Sequence, residues 1–423
     1  MEEEKGGLVE EPVYITGLEI CKINCFKKSY SIDFSDAERK PSMWTVLLGN
    51  NNTGKTTLLR IIAALGNTSY PFGTFSSVRN TNTKYYNNAL YLDISKYFSP
   101  LDKEENDTIT KQCSITTNKK EINSSFASSS KSKKNVSYTD NPIIIDAYGT
   151  QRKQGQTKFI EYQLEDRVES LFEDDTKSLI NAEDWFLGTK FNALMESKKA
   201  AAQLEQVKNA LVTLLPDIKD IQIGGEELRR VHFITNSNDK VLINQLGSGY
   251  QSLITWVVDY AKRQFDRYPE SSNPLAEPGI VLVDEIDLHL HPTWQRKVIR
   301  FLRNLFPKTQ FIVTAHSPLV VQSADDINVV VLHREEATDE IKIEQPELTN
   351  FQGWSVEEIL RDLMDAQIYS NEYLELRSSF TQAIEEDNYK IAKETFQELE
   401  RILHPTSTQI ELMRLQMTSL SYD

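Results

Sequence analysis

The stretch VLLGNNNTGKTTLLRIIAAL runs from Val46 to Leu65. An apolar run enters a loop of glycine and asparagine, and an apolar helix leaves it. The loop reads G-x-x-x-x-G-K-T, with Gly49, Gly54, Lys55 and Thr56 at the fixed positions. Glycines let the backbone curl until successive N–H groups face a phosphate. Asn50, Asn51 and Asn52 tolerate left-handed backbone angles better than most residues, and Thr53 and Thr57 complete the phosphate-binding run. The amino-terminal end of the following helix adds its positive pole. Lys55 is expected to reach the β- and γ-phosphates and Thr56 to ligate Mg²⁺. The plain alternative is a turn that merely happens to be rich in glycine. A strand before, a helix after and an intact GKT weigh against it, so the expected ligand is a nucleoside triphosphate.

Two stretches downstream suit the same chemistry. GIVLVDEIDLHLHP is an apolar strand that ends in Asp284 and Glu285. An acid at a strand tip beside a phosphate loop can hold Mg²⁺, and the adjacent Glu285 can polarise an attacking water. The alternative is two acids capping the next helix. QFIVTAHSPLVV is a second apolar strand, ending near His316, which is placed to touch a γ-phosphate. A third stretch, INQLGSGYQSLITWVVDYAKR, opens a helix with a Gly-Ser-Gly turn, again an anion-binding end. Such turns are common, and this one gains weight from its place before the acidic strand. Leu253, Trp256, Val257, Tyr260 and Ala261 share one face of that helix.

Composition bounds the rest. The 423 residues carry a net charge of -15 and 39% hydrophobic residues, with a pI of about 5.1 and a mean hydropathy of -0.45. That is a globular balance, too acidic for a chain that coats nucleic acid over its whole surface. No apolar run reaches the ~18 residues of a membrane span, and MEEEKGGLVEEPVYI is too acidic for a secretory signal. Cys21, Cys25 and Cys113 form no disulfide or metal framework. The first two belong in or beside an amino-terminal strand, and a cytoplasmic location is expected.

VYITGLEICKINCF and YSIDF suit strands, and NALYLDISKYF and KQCSITTN suit strands within an insertion over residues 67–140. That insertion includes a Ser- and Lys-rich stretch containing Lys131, Lys133 and Lys134, readable as a flexible loop or as a phosphate-backbone contact. PIIIDAYGTQRKQG is a strand with a polar turn. Residues 164–220 read as a helical subdomain and RRVHFITNSNDKVLI as a hairpin. The head is expected to span residues 1–335, with a helical region over 336–423 that meets another copy or a partner.

The order of phosphate loop, polar turn, Gly-Ser-Gly turn, Asp-Glu strand and His resembles the ABC-type ATPase head of the RecF/SMC-like class. The resemblance implies an α/β P-loop head with β insertions and a helical carboxy-terminal region, using ATP and Mg²⁺. It implies a homodimer or higher oligomer in which the signature turn of one subunit closes over ATP held by another. Leu246, Gly247, Ser248, Gly249 and Tyr250 stand where the class has L-S-x-G-[EQ]; the serine is displaced by one position. The class also places a glutamine after the strand of PIIIDAY. Gln151 matches it, with Gln154 and Arg152 as neighbouring candidates. LxxGYxSL, DEIDLHLHPTWQ, TAHSPLVVQSA and FQGWSVEEIL are similar to the PtuA-type ATPases of Septu anti-phage systems, which work with an HNH nuclease, PtuB. About ninety-five residues separate Gln151 from Leu246 without sustained heptads, so no long coiled coil is expected.

Cutting chemistry is not expected in the chain itself. Glu335, Asp339 and Glu340 follow His316 without a D-x-D, and the six histidines form no HNH motif. His289 and His291 read as packing at a subunit contact before they read as metal ligands. The expected function is an ATPase that regulates a partner HNH nuclease. The alternative is a RecF-type repair or loading ATPase that binds DNA directly, and a third reading is a transporter subunit, which requires a membrane-spanning neighbour.

Overall fold

The computed structural model describes residues 12–36, 38–66, 88–96, 108–115, 144–152, 167–172, 179–224, 230–323, 325–335 and 337–420. Two compact units divide the chain, Met1–Val356 and Glu357–Asp423.

A six-stranded sheet organises the first unit. Its order is β13 (Glu340–Glu344), β12 (Asn328–Glu335), β3 (Trp44–Gly49), β11 (Thr309–Thr314), β10 (Gly279–Val283) and β6 (Ile145–Tyr148). Five strands run parallel and β13 closes one edge antiparallel. Every residue of β3, β10 and β11 is buried. Their runs are apolar without alternation because parallel strands are covered on both faces. The register sets Val313 of β11 beside Val46 and Val283, so the tips of β3, β11 and β10 end level on one edge. That carboxyl edge is where ligands bind in open parallel sheets.

The helix Lys55–Gly66 buries Leu58, Leu59, Ile61, Ile62, Ala63 and Ala64. A helix apolar on so many sides must be covered on more than one. One core cluster joins it to the large sheet through Leu47, Leu282, Ile312 and Val330, and to an amino-terminal sheet through Ile15, Leu18, Ile20 and Phe34. That second sheet has the order β2 (Phe26–Asp33), β1 (Val13–Ile23), β4 (Asn88–Lys96), β5 (Thr108–Ile115), all antiparallel. The two strands expected inside an insertion therefore extend the amino-terminal sheet. Cys21 lies in β1 and Cys25 in the turn after it. The Ser- and Lys-rich stretch lies outside the described residues.

The described part of the segment expected as helical over 164–220 is helical up to Leu214, and a strand begins at Ile218. Its helices Ala182–Leu194 and Lys198–Leu214 pack on a three-stranded antiparallel sheet of β7 (Ile218–Ile223), β8 (Val231–Thr235) and β9 (Lys240–Leu242). Asn181 and Ser197 cap the two helices by accepting from backbone N–H groups. β7 reads as a helix end because its buried residues, Ile218 and Ile221, fall three apart rather than alternating. Pairing of β13 with β12 likewise carries the head past residue 335, where the helical region was expected to begin.

The helix Ser248–Arg267 is buried on the expected face and beyond it, taking in Asp259 and Arg263. Asp146 on β6 receives Arg263 at 3.0 Å, Arg167 at 3.0 Å and Arg267 at 2.7 Å. Asp259 accepts from the Tyr148 hydroxyl at 2.9 Å and pairs with Arg263 at 2.7 Å. Burial by itself would push the Asp146 carboxyl up, yet Arg267, Arg167 and Arg263 hold it well below the usual carboxylate range.

The second unit is helical: Asn371–Glu385, Tyr389–Ile402 and Thr408–Leu420 enclose Tyr373, Phe380, Ala392, Phe396, Leu399 and Ile410. No described helix is long and apolar enough to cross a membrane.

Asp146→Ala should destabilise the first unit by about 3–5 kcal/mol, because it strands buried guanidinium groups without their carboxylate. Thermal unfolding of the variant beside the parent checks this; an unchanged midpoint would show that the cluster contributes nothing to stability.

Candidate nucleotide site

The phosphate loop is shaped by close approach. Gly49 has φ +141°, and a Cβ there would stand 2.2 Å from the Leu332 carbonyl oxygen. Gly54 has φ +96°, and its Cβ would meet the Cys25 sulfur at 2.6 Å. Neither position admits a side chain. Of the three asparagines, Asn52 alone takes a left-handed angle, at φ +63°. The Thr53 hydroxyl donates to the Asn50 carbonyl at 2.9 Å. Lys55 Nζ donates to the Gly49 and Asn50 carbonyls at 2.7 and 2.8 Å, and Arg334 donates to Asn52 O at 3.1 Å.

Asp284 is buried at the tip of β10. Its Oδ2 accepts from the Thr56 hydroxyl at 2.8 Å and its Oδ1 from the Thr314 hydroxyl at 2.6 Å. Two residues 228 positions apart thus present a hydroxyl and a carboxylate oxygen side by side. Hard oxygen donors of this kind suit Mg²⁺, which binds through one or two protein groups and keeps its waters. The loop geometry and this donor pair fit a magnesium-bound triphosphate.

Glu285 follows with φ +49°. Its N–H donates to Thr314 Oγ1 at 2.6 Å, and its carboxylate lies 3.8 Å from His316 Nε2 with both side chains about one-third exposed. The backbone N–H of His316 donates to the Asp287 carboxylate at 3.3 and 3.1 Å. Ser317 donates to Gln295 at 2.7 Å, and Gln295 donates to the Leu290 carbonyl at 3.0 Å.

The structure therefore brings Thr56, Asp284, Glu285 and His316 to one edge beside Lys55. The signature turn meets this group through the segment after Glu285. A Cβ on Gly249 would stand 2.2 Å from the His289 carbonyl, and the space beside Gly247 is open. Leu246 is half-buried and Ser248 exposed. Tyr250 donates to Asp217 at 2.9 Å and meets Trp294 edge-on. His291 caps the short helix Pro292–Gln295 by accepting from Thr293 N–H. Among the described residues no group of three or more His, Cys, Asp or Glu is placed to hold a metal.

Gln151 is exposed, whereas Arg152 beside it is buried. Arg152 donates to the carbonyls of Gly149 at 3.0 Å, Asp284, and Glu285 at 2.9 Å. Gln154 lies outside the described residues. Sequence reasoning missed Thr314 and Asp287, and named Arg152 only as an alternative to the glutamine. The available signals were a polar residue ending an apolar strand two positions before His316, and a third acid after the Asp-Glu pair.

A phosphate loop, an acid pair at a second parallel strand tip and a hydroxyl bridge between them define a P-loop ATPase head of ABC type. The chain belongs to the family described as AAA domain, putative AbiEii toxin, Type IV TA system, whose model matches residues 44–322. It resembles the Septu protein PtuA of Bacillus thuringiensis, with 27% identity over 387 residues, 88% of this chain and 91% of that protein. It is 37% identical over 129 residues to the Retron Ec83 probable ATPase of Escherichia coli, 30% of this chain and 23% of that protein. Among solved structures, the SMC head domain from Thermotoga maritima superposes with a TM-score of 0.42 at 14% identity, covering 79% of this chain and 100% of that one.

Burial lowers the Lys55 pKa to about 8, against the opposing pull of Asp284, Glu285 and Asp287. A phosphate contact needs the charged form, so above that pH binding must first re-protonate Lys55. ATP affinity should hold below pH 8 and fall about tenfold for each further unit. Stability of the free protein should move oppositely. The unfolded chain keeps this proton up to the ordinary lysine value, so stability rises with pH across that window. Calorimetric titrations at pH 7, 8 and 9 check the first expectation. A flat profile would mean that Lys55 stays charged without a ligand.

Proposed function

We propose that the chain binds Mg·ATP at this edge, hydrolyses it with Glu285 as general base, and uses the cycle to control a partner HNH nuclease of PtuB type in anti-phage defence. The observation that carries the ATPase part is the Thr56–Asp284–Thr314 bridge, which sets a metal-binding carboxylate against the phosphate loop. Likeness to a Septu protein along most of both chains supports the defence setting. Glu285 would polarise the attacking water, and His316, 3.8 Å from it, would touch the γ-phosphate and report its loss. Lys55, Gly54, Thr56 and the backbone of Asn50, Asn51, Asn52 and Thr53 would hold the phosphates, with Thr57 in the next position and Gln151 at the loop opposite. The signature turn Leu246–Tyr250 would close over ATP in a second copy, giving a homodimer or higher oligomer in the cytoplasm.

Partner contact is assigned to residues 357–423, where Asp and Glu outnumber Lys and Arg 14 to 6. Leu374, Tyr389, Ile391, Leu412 and Leu415 are exposed there. Acidic rims around exposed apolar groups suit a basic, amphipathic partner surface. A partner preferring one nucleotide state is switched to the extent of that preference. Direct DNA binding is the second reading, less favoured by a net charge of -15.

Glu285→Gln should keep ATP bound while slowing turnover by about a hundredfold or more, leaving a larger ATP-trapped species in light scattering. Unchanged turnover would move the base elsewhere. A nuclease assay of the chain alone and with an HNH partner, over a range of ATP concentrations, tests the division of labour. Metal-dependent cutting by the chain alone, lost with its own acids, would overturn it.

A further inference from the structure

We infer that Arg152 is a positioning residue for hydrolysis: it holds the backbone of Glu285 in the left-handed conformation that presents the carboxylate. The inference rests on the reading of Glu285 as the base.

Glu285 stands at φ +49°, a conformation that residues with a Cβ rarely adopt. Such a residue persists only where its surroundings over-determine it. Both of its peptide groups are pinned. Its N–H donates to Thr314 Oγ1 at 2.6 Å, and its carbonyl accepts from Arg152 at 2.9 Å. Arg152 also donates to the preceding carbonyl of Asp284, so one planar guanidinium grips two successive carbonyls. Its Nε donates to Gly149 at 3.0 Å, which fixes the side chain to its own loop. That loop has no slack at its start, because a Cβ at Gly149 would stand 1.9 Å from the Ser170 carbonyl.

The grip uses a charge where neutral donors would suffice to satisfy carbonyls. Arg152 is 7% exposed, and burial lowers its pKa to about 10 while Asp284, Asp287 and Glu285 pull it back up. A buried cation held beside three acids is costly unless those acids need it. Without it, Glu285 relaxes to an ordinary backbone angle and its carboxylate leaves His316. Displacement of a reacting group by ~1 Å can cost about a hundredfold in rate. Arg152 touches neither phosphate nor water in this scheme; it acts through the backbone that presents Glu285.

The experiment is a kinetic cycle on the full chain with ATP: the parent, Arg152→Met, Glu285→Gln and the double variant. Arg152→Met should lower kcat about a hundredfold with ATP affinity unchanged, and should cost nothing further in the Glu285→Gln background. Arg152→Lys should recover part of the rate, and added guanidinium should restore Arg152→Ala. These two arms carry the test if Arg152→Met fails to fold. An equal loss of rate in both backgrounds would reveal a merely structural arginine and overturn the inference. So would full activity of Arg152→Met beside a slowed Glu285→Gln. Full activity of Glu285→Gln would instead remove Glu285 as base, and this inference with it.

Discussion

Asp284 is the point on which the site turns. Its strand, β10, is not a neighbour of β3, which carries the phosphate loop; β11 runs between them. The carboxylate must therefore reach across a strand to meet Thr56. Level strand tips make the reach possible, and a hydroxyl on the intervening strand makes it definite. With Oδ1 held by Thr314 and Oδ2 by Thr56, the carboxylate has little rotational freedom left. The same Thr314 oxygen accepts from the Glu285 N–H. One threonine thus sets both the metal-side acid and the residue after it.

A buried ionic cluster extends this order towards the signature turn. Placing Asp146 and Asp259 with Arg263 and Arg267 under the sheet is no economical way to gain stability, since desolvation opposes it. What the cluster does provide is directional fixing. Arg263 and Arg267 lie at the far end of the helix that the signature turn opens, and Asp146 lies on β6, which leads into the loop holding Arg152. In the ATPase reading, the turn that would face a neighbour's nucleotide and the base that would polarise the attacking water are two ends of one connection. Movement at one end is then transmitted without a long intermediary.

The sequence made legible whatever depends on contiguous residues. The phosphate loop, the apolar strands ending in Asp284 and near His316, and the helix after Gly247 each declare themselves within twenty residues. Pairings across long separations were not legible. β4 and β5 read as an insertion because nothing local says that they join β1. β7 and β13 are short: β7 buries residues at a three-residue spacing, and five residues of β13 are too few to decide by alternation. Thr314, Asp287 and Arg152 are common residue types whose meaning is set by what lies opposite them. Arg152 is the sharpest instance: in the sequence it is one of three candidates in a polar turn, and only the fold sets its guanidinium on the carbonyls of the acid pair.

Backbone strain also falls in the segment after Asp284, as it does at nine other non-glycine positions among the described residues. Between Asp284 and His291 two residues with side chains, Glu285 at φ +49° and His289 at φ +60°, sit in the left-handed region. Each such residue costs about 1–3 kcal/mol and needs surroundings that hold it. Glu285 is held by Thr314 and Arg152. The segment around His289 is held by Gln295, which donates to the Leu290 carbonyl at 3.0 Å, and by the close packing of Gly249 on its carbonyl. The first strained residue faces the phosphate loop and the second carries the contact to the signature turn. The two strained residues therefore lie in one eight-residue stretch that runs from the phosphate-loop edge to the signature turn.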